Sequence, residues 1–288
     1  MKARVRGTEI FFDVDGAQFV PEGPRMVERP VLFLLHGGPG GDHSSFKTQH
    51  GAQLRDLVQL VYVDHRGSGR SAPCDPSTYT LEENIEDLDA LRDYLGLERI
   101  AVLGSSYGGM VAQGYAIRFP HRVSSLILSA TAPSHRFLED AKRIVESRGT
   151  PEQIRVCQRL WDAAFESHDQ LFEYYAVMAP LYSVKHDAAK VEEASRRSLR
   201  NFEQLNLGFG GFLKSFDFLP DLHKIVCQTL ILAGAQDWIC PVNHSRQIAD
   251  RIPRSQLKVF AQSSHAISGD EPEAYFAAVR GFLTYAPL

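Results

Sequence analysis

Three residues of this 288-residue chain could do chemistry together: Ser106, Asp237 and His265. Ser106 is the centre of Gly104-Ser105-Ser106-Tyr107-Gly108, a G-x-S-x-G pattern. The short run Arg99-Ile100-Ala101-Val102-Leu103 before it reads as a buried strand, and Met110 to Ile117 after it reads as a helix. A sharp strand-to-helix turn holds its central residue in a strained backbone conformation, and flanking glycines let neighbouring segments approach without a Cβ. The head of the helix then offers unpaired N–H groups and a positive dipole end to a developing oxyanion. A serine hydroxyl is a poor nucleophile until a neutral imidazole takes its proton and a carboxylate orients that imidazole. Asp237 alone reads equally well as a helix cap, and His265 as one of 11 histidines. Each of the three, however, falls just past an apolar run, in the order Ser, Asp, His that this kind of elbow uses.

A second glycine-rich turn, His36-Gly37-Gly38-Pro39-Gly40-Gly41, follows the continuous apolar run Val31 to Leu35. A phosphate cradle would continue with Lys and Ser or Thr. Asp42-His43-Ser44 follows instead, so the turn reads as an oxyanion loop, with the N–H of Gly38 partnered by that of Tyr107. In Asp64-His65-Arg66-Gly67-Ser68-Gly69-Arg70-Ser71, Asp64 and Arg66 are expected to pair and pin the loop. His65 lies upstream of the serine, the wrong order for the base, and reads as loop structure or pocket wall.

The elements that must position these residues alternate. Glu9 to Val14 reads as an edge strand and residues 20–30 as a loop. Val31–Leu35, Leu60–Asp64, the elbow strand and Val123–Ser129 read as core strands. Helices are expected over about 43–57, after the Thr80-x-x-Glu83 capping box, and after the elbow. Such alternation implies an α/β fold: a mainly parallel, doubly wound sheet whose ligands bind beyond the C-terminal strand ends. Residues 134–220 break the pattern with helices only, one of them opened by Thr150-Pro151-Glu152-Gln153. They read as a helical cap (lid) inserted into a core of residues 1–133 and 221–288. Within the cap, Asn206-Leu207-Gly208-Phe209-Gly210-Gly211-Phe212 is expected to be a mobile loop, too Gly-rich for a helix. Core strands resume at Thr229–Gly234, ahead of Asp237, and Leu257–Phe260, ahead of His265, and a final helix is expected over about 271–283.

Hydrophobic content of 44%, charged content of 23% and a net charge of −4 describe a globular chain with no electrostatic case for nucleic acid or anionic membrane as partner. No apolar run reaches signal-peptide or membrane-spanning length. Cys74, Cys157, Cys227 and Cys240 are scattered without C-x-x-C pairs, so free thiols in a cytoplasmic setting are expected, with no metal site. No metal or organic cofactor is implied.

On these motifs the chain resembles the α/β-hydrolase superfamily over nearly all of residues 5–285. His36-Gly37-Gly38-Pro39-Gly40 and Asp64 to Ser71 are similar to the HGGPG and D-Q-R-G-x-G-x-S motifs of the prolyl aminopeptidase (proline iminopeptidase) group. The resemblance implies a serine hydrolase of the α/β-hydrolase fold with a helical cap, acting on a small molecule or short peptide. The departures concern substrate recognition. Where the group has Gln this chain has His65, and after the serine it has Tyr107 rather than Trp. The group binds the substrate's free amine with carboxylates, one directly after the catalytic Asp; here that position is Trp238, and Asn206 to Phe212 contains no acid. A cationic amine in an apolar pocket without a counter-charge is costly. Trp238, Phe209 and Phe212 are therefore expected to meet a neutral, apolar acyl or alcohol group of a small ester, lactone or amide. A true aminopeptidase would need other acids, such as Glu203 or Asp217. An inactive binding protein would have no need of all three of Ser106, Asp237 and His265.

Overall fold

The computed structural model describes residues 1–285. The strands are Lys2–Val5 (β1), Thr8–Asp15 (β2), Phe19–Glu22 (β3), Arg25–Glu28 (β4), Val31–Leu35 (β5), Gln59–Val63 (β6), Ile100–Ser105 (β7), Val123–Ser129 (β8), Gln228–Gly234 (β9) and Ser255–Phe260 (β10). The helices are Ser44–Gln49 (α1), Gly51–Leu54 (α2), Leu81–Tyr94 (α3), Tyr107–Arg118 (α4), Phe137–Arg148 (α5), Pro151–Trp161 (α6), His168–Tyr182 (α7), Ala188–Arg197 (α8), Phe202–Gly210 (α9), Val242–Ala249 (α10), Ile267–Asp270 (α11) and Pro272–Tyr285 (α12).

One sheet runs in the order β1-β2-β6-β5-β7-β8-β9-β10. The first two pairings are antiparallel and all those from β6 to β10 are parallel. Parallel strands need helical crossovers, which cover both faces and make the central strands uniformly apolar. In β5, Val31, Phe33 and Leu35 point into the cluster shared with α3, α4 and α10, while Leu32 and Leu34 point into the one shared with α1, α2 and α12. Between β8 and β9 the chain adds only α5 to α9 and short turns of helix. Among the described residues no helix is long and apolar enough to cross a membrane.

Several expectations are corrected. The edge strand is β1, outside β2, because the basic N-terminus pairs antiparallel along Thr8–Phe11. Residues 20–30 are not a loop: most of the segment lies in the exposed ribbon β3–β4, turning at Gly23 with φ +58°. The helix expected over 43–57 is broken at His50 into α1 and α2. The Gly-rich stretch from Asn206 to Gly210 is helical, as the second half of α9. There a Cβ on Gly208 would stand 2.4 Å from Pro39 Cγ, so the glycine lets the helix lie directly on the glycine-rich loop after β5. That packing outweighs the roughly 1 kcal/mol per residue that glycine costs a helix.

Candidate active site

The elbow is as tight as its glycines allow. Ser106 has φ +55° and ψ −122°, a left-handed conformation rare for a residue with a side chain. A Cβ on Gly104 would lie 2.2 Å from the Gly108 carbonyl oxygen, and one on Gly108 would lie 2.0 Å from that of Leu35. Neither approach admits a side chain. The strained turn is held from the next strand: Ser106 N–H donates to the Ser129 carbonyl at 3.0 Å, and Thr131 Oγ1 donates to the Ser106 carbonyl at 2.7 Å.

The glycine-rich loop after β5 lies against this elbow. A Cβ on Gly37 would be 3.0 Å from Ser106 Cβ, so the loop backbone reaches the serine only because that side chain is missing. Gly38 has φ +125° and donates its N–H to no protein group among the described residues. Tyr107 opens α4, where N–H groups have no intrahelical acceptor. Both N–H groups are thus available beside Ser106.

Two buried histidines brace that loop. His65 N–H donates to His36 Nε2 at 3.1 Å, so His36 carries its proton on Nδ1, which donates to the Gly37 carbonyl at 2.8 Å. The two rings pack at a 60° tilt with centroids 4.4 Å apart, and His65 meets the Tyr107 ring edge-on at 5.6 Å. Burial pushes both below the usual imidazole value, His65 further because His36 is its neighbour, and each serves as a neutral hydrogen-bonding group. Asp64 and Arg66 do not pair. Asp64 accepts from His43 Nδ1 at 2.7 Å and from the Arg70 N–H at 2.9 Å, while Arg66 makes a bidentate pair with Asp87, both bonds 2.7 Å. The two residues of the expected pair therefore serve different partners.

His265 and Asp237 meet across the last two core strands. A Cβ on Gly234 would stand 2.0 Å from the Ser264 carbonyl oxygen, and this close approach brings the two loops together. His265 Nδ1 donates to Asp237 Oδ2 at 2.8 Å. The other carboxylate oxygen accepts from the N–H groups of Ile239 and Cys240, both at 2.9 Å, so the acid is fixed in place and fully enclosed. Nδ1 is engaged, and Nε2 is the ring nitrogen left to exchange a proton. The Tyr182 ring lies edge-on to His265 at 5.6 Å, and the Tyr182 carbonyl accepts from the Ala266 N–H at 2.9 Å, tying the end of α7 to the histidine loop.

Ser106 and His265 line one cavity of about 200 Å³ together with Gly37 and Gly38. The rest of its wall comes from Met110, Phe137, Leu160, Leu205, Phe209, Leu213 and Ile239, with the polar edges of Ser105, Tyr174, Tyr175, Tyr182 and Cys240. No carboxylate is among the lining residues. Phe209 belongs to the wall; Phe212 and Trp238 do not. Phe212 packs on the Tyr107 ring at 5.9 Å, and Trp238 is fully buried behind Tyr182, 5.2 Å away, and Trp161. Sequence reasoning did not single out Tyr174 or Tyr182. The available signal was the tyrosine density of α7, where Tyr175 and Tyr182 are seven residues apart and so share a helix face.

The chain matches the family model for the alpha/beta hydrolase fold over residues 30–272. It is 34% identical to the proline iminopeptidase PfmaB of Pestalotiopsis fici, the alignment covering 95% of this chain and 98% of that one. It is 30% identical to a proline iminopeptidase of Lactiplantibacillus plantarum over 91% of this chain and 94% of that one. The crystal structure of a proline iminopeptidase from Mycobacterium smegmatis superposes with a TM-score of 0.80 at 21% identity, covering 100% of this chain and 98% of that one. The mainly parallel sheet, the strained turn at Ser106 and this likeness along nearly the whole length place the chain in the α/β-hydrolase fold family, as a hydrolase resembling the prolyl aminopeptidases.

Proposed function

We propose that this hydrolase cleaves small esters, lactones or amides with uncharged acyl groups, through an acyl-enzyme formed on Ser106. His265 Nε2 takes the Ser106 proton as the hydroxyl attacks the carbonyl, and Asp237 holds the imidazole and balances its charge. The N–H groups of Gly38 and Tyr107 receive the developing oxyanion. His265 then returns the proton to the leaving group, and water repeats the sequence to release the acid. Residues 134–220 act as a cap over this site, α5, α6, α7 and α9 supplying most of the apolar wall. The four free cysteines suit a cytoplasmic setting.

The observation that carries the substrate class is the wall without a carboxylate. A buried ammonium is tolerated where a carboxylate faces it, and here none does. The two acids that might have served are elsewhere: Glu203 is exposed, and Asp217 is engaged with Arg136 at 3.4 Å and with the Leu219 N–H at 3.0 Å. A second reading, release of N-terminal proline, is favoured by the names of the relatives at 30–34% identity.

Paired substrates with one leaving group separate the two. Butyryl and prolyl esters of the same phenol are compared by kcat/KM, with Ser106→Ala as the blank. The expected result is a preference for the butyryl ester, labelling of Ser106 by a fluorophosphonate, and a loss of several orders of magnitude in kcat in the variant. A strong preference for the prolyl ester would restore the aminopeptidase reading. Undiminished turnover or labelling in Ser106→Ala would remove the serine mechanism.

A further inference from the structure

Arg200 lies between α8 and α9, and its backbone is fixed on both sides. The Leu199 N–H donates to Asp42 Oδ2 at 3.0 Å, and the Asn201 N–H donates to the Gly40 carbonyl at 2.7 Å. Its guanidinium stacks on the Tyr175 ring, 3.8 Å from the centroid, and Tyr175 lines the cavity above Ser106. From there the aromatic groups lead inward: Tyr175 to Tyr182 at 6.0 Å, then Tyr182 to His265 at 5.6 Å. No carboxylate pairs with Arg200 among the described residues. Its Nη1 is buried without an acceptor, the one arginine nitrogen among the described residues in that state.

An unmet buried donor on a charged group is expensive, and the expense is removed when a ligand supplies the acceptor. Stacking on an aromatic face leaves the guanidinium edge, with its N–H groups in a planar fork, free for a carboxylate. We propose that Arg200 is a substrate-binding residue that takes a carboxylate carried by the substrate, at the edge of Tyr175, while the uncharged acyl group fills the apolar cavity. The inference rests on the Ser106 hydrolase reading and narrows it to carboxylate-bearing esters, lactones or amides. Charge thus enters recognition with the sign opposite to that of an amine site.

Two substrate pairs test this and locate the carboxylate. In the first it is on the acyl side: the 4-nitrophenyl monoester of glutaric acid against 4-nitrophenyl valerate. In the second it is on the leaving side: 3-carboxyphenyl butyrate against 3-carbamoylphenyl butyrate. For each pair the ratio of kcat/KM values, acid over neutral, is measured in the wild type, Arg200→Met and Arg200→Lys. The expected result is that the leaving-side ratio falls about tenfold to a hundredfold in Arg200→Met, the range of a charge-assisted hydrogen bond, and is partly restored in Arg200→Lys, while the acyl-side ratio stays constant. A fall confined to the acyl-side pair would overturn the placement of an uncharged acyl group in the cavity. A ratio that stays constant in both pairs, with acid and neutral substrates losing activity in step, would make Arg200 a packing residue and overturn the proposal. Fluorophosphonate labelling of Ser106 in the wild type is read on the same preparations. Its failure would strike the hydrolase mechanism itself, whereas constant ratios with labelling intact would strike only the carboxylate site.

Discussion

Gln204 ties α9 to the loop after β6, and its replacement tests whether α9 positions the neighbouring glycine-rich loop that carries Gly38. The side chain is buried. Its Oε1 accepts from Ser68 Oγ at 2.5 Å, and its Nε2 donates to the Arg66 carbonyl at 2.9 Å. One turn earlier, Asn201 holds the Gly40 carbonyl, and one turn later Gly208 lies against Pro39, so α9 is laid along the loop that carries Gly38. Gln204→Leu keeps the volume and removes both bonds. Each is worth about 0.5–1.5 kcal/mol net, and stranding a buried carbonyl adds about 1–3 kcal/mol. The expected loss is about 2–6 kcal/mol, which a domain of ordinary stability survives over most of that range. The effect on rate should be disproportionate, about tenfold to a hundredfold in kcat, because a shift near 1 Å in an oxyanion donor is enough to cost that much. Gln153 is the control: it too is buried in the helical insertion, bonded to Thr150 and to the Val177 carbonyl at 3.2 Å, and it touches neither loop. Urea unfolding and ester turnover are measured for Gln204→Leu and Gln153→Leu. Both should lose stability and only the first should lose kcat. Full kcat in a destabilised Gln204→Leu would refute the idea that α9 holds the loop.

Two further outcomes follow from the packing. Burial pushes His50 down to about 3, so between pH 6.5 and about 3 the unfolded chain binds a proton that the folded chain refuses. His50 therefore has no linkage effect on stability above pH 6.5 and lowers it by about 1.4 kcal/mol for each pH unit below, His36 and His65 adding in the same direction; the unfolding free energy of His50→Gln from urea titration should fall about 2–3 kcal/mol less than that of wild type between pH 7.5 and 4.5, and parallel curves would count against a buried neutral imidazole. Gly108→Ala should destabilise by several kcal/mol, its Cβ driven onto the Leu35 carbonyl, whereas Gly281→Ala, with open space around it in α12, should stabilise by up to about 1 kcal/mol in thermal melts.

How much of this was legible in the sequence depended on burial. Val31–Leu35 was readable to the residue because a strand covered on both faces is apolar throughout, and Val123–Ser129 because its Leu126-Ile127-Leu128 run is bounded by short serine segments. The rim followed, since every parallel strand ends on the same side, and Ser106, Asp237 and His265 each sit one short step past such an end. The ribbon β3–β4 was not readable: its residues are mostly exposed, and hydrophobic pattern reports burial rather than strand pairing. The second half of α9 was misread for a different reason. Glycine at 208 and 210 argues against a helix on local propensity, and only the position of Pro39, 169 residues earlier in the chain, shows why glycine is needed there.

The position after Asp237 shows most clearly where sequence reasoning stops. A tryptophan in place of a carboxylate was readable as the loss of an amine ligand, and as the gain of an aromatic surface for the substrate. In the structure Trp238 faces away from the cavity, wedged between Trp161 and Tyr182 with its indole Nε1 buried and unpartnered. It supports Tyr182, and through Tyr182 the ring of His265. A glutamate placed there would be an unpaired charge in the interior, at a cost of several kcal/mol, rather than a restored ligand. So Trp238→Glu should unfold or loosen the protein without conferring a preference for prolyl esters. The cavity wall beside Ser106 is supplied instead largely by α7 and α9, and Tyr175 in that wall carries the Arg200 guanidinium on its ring.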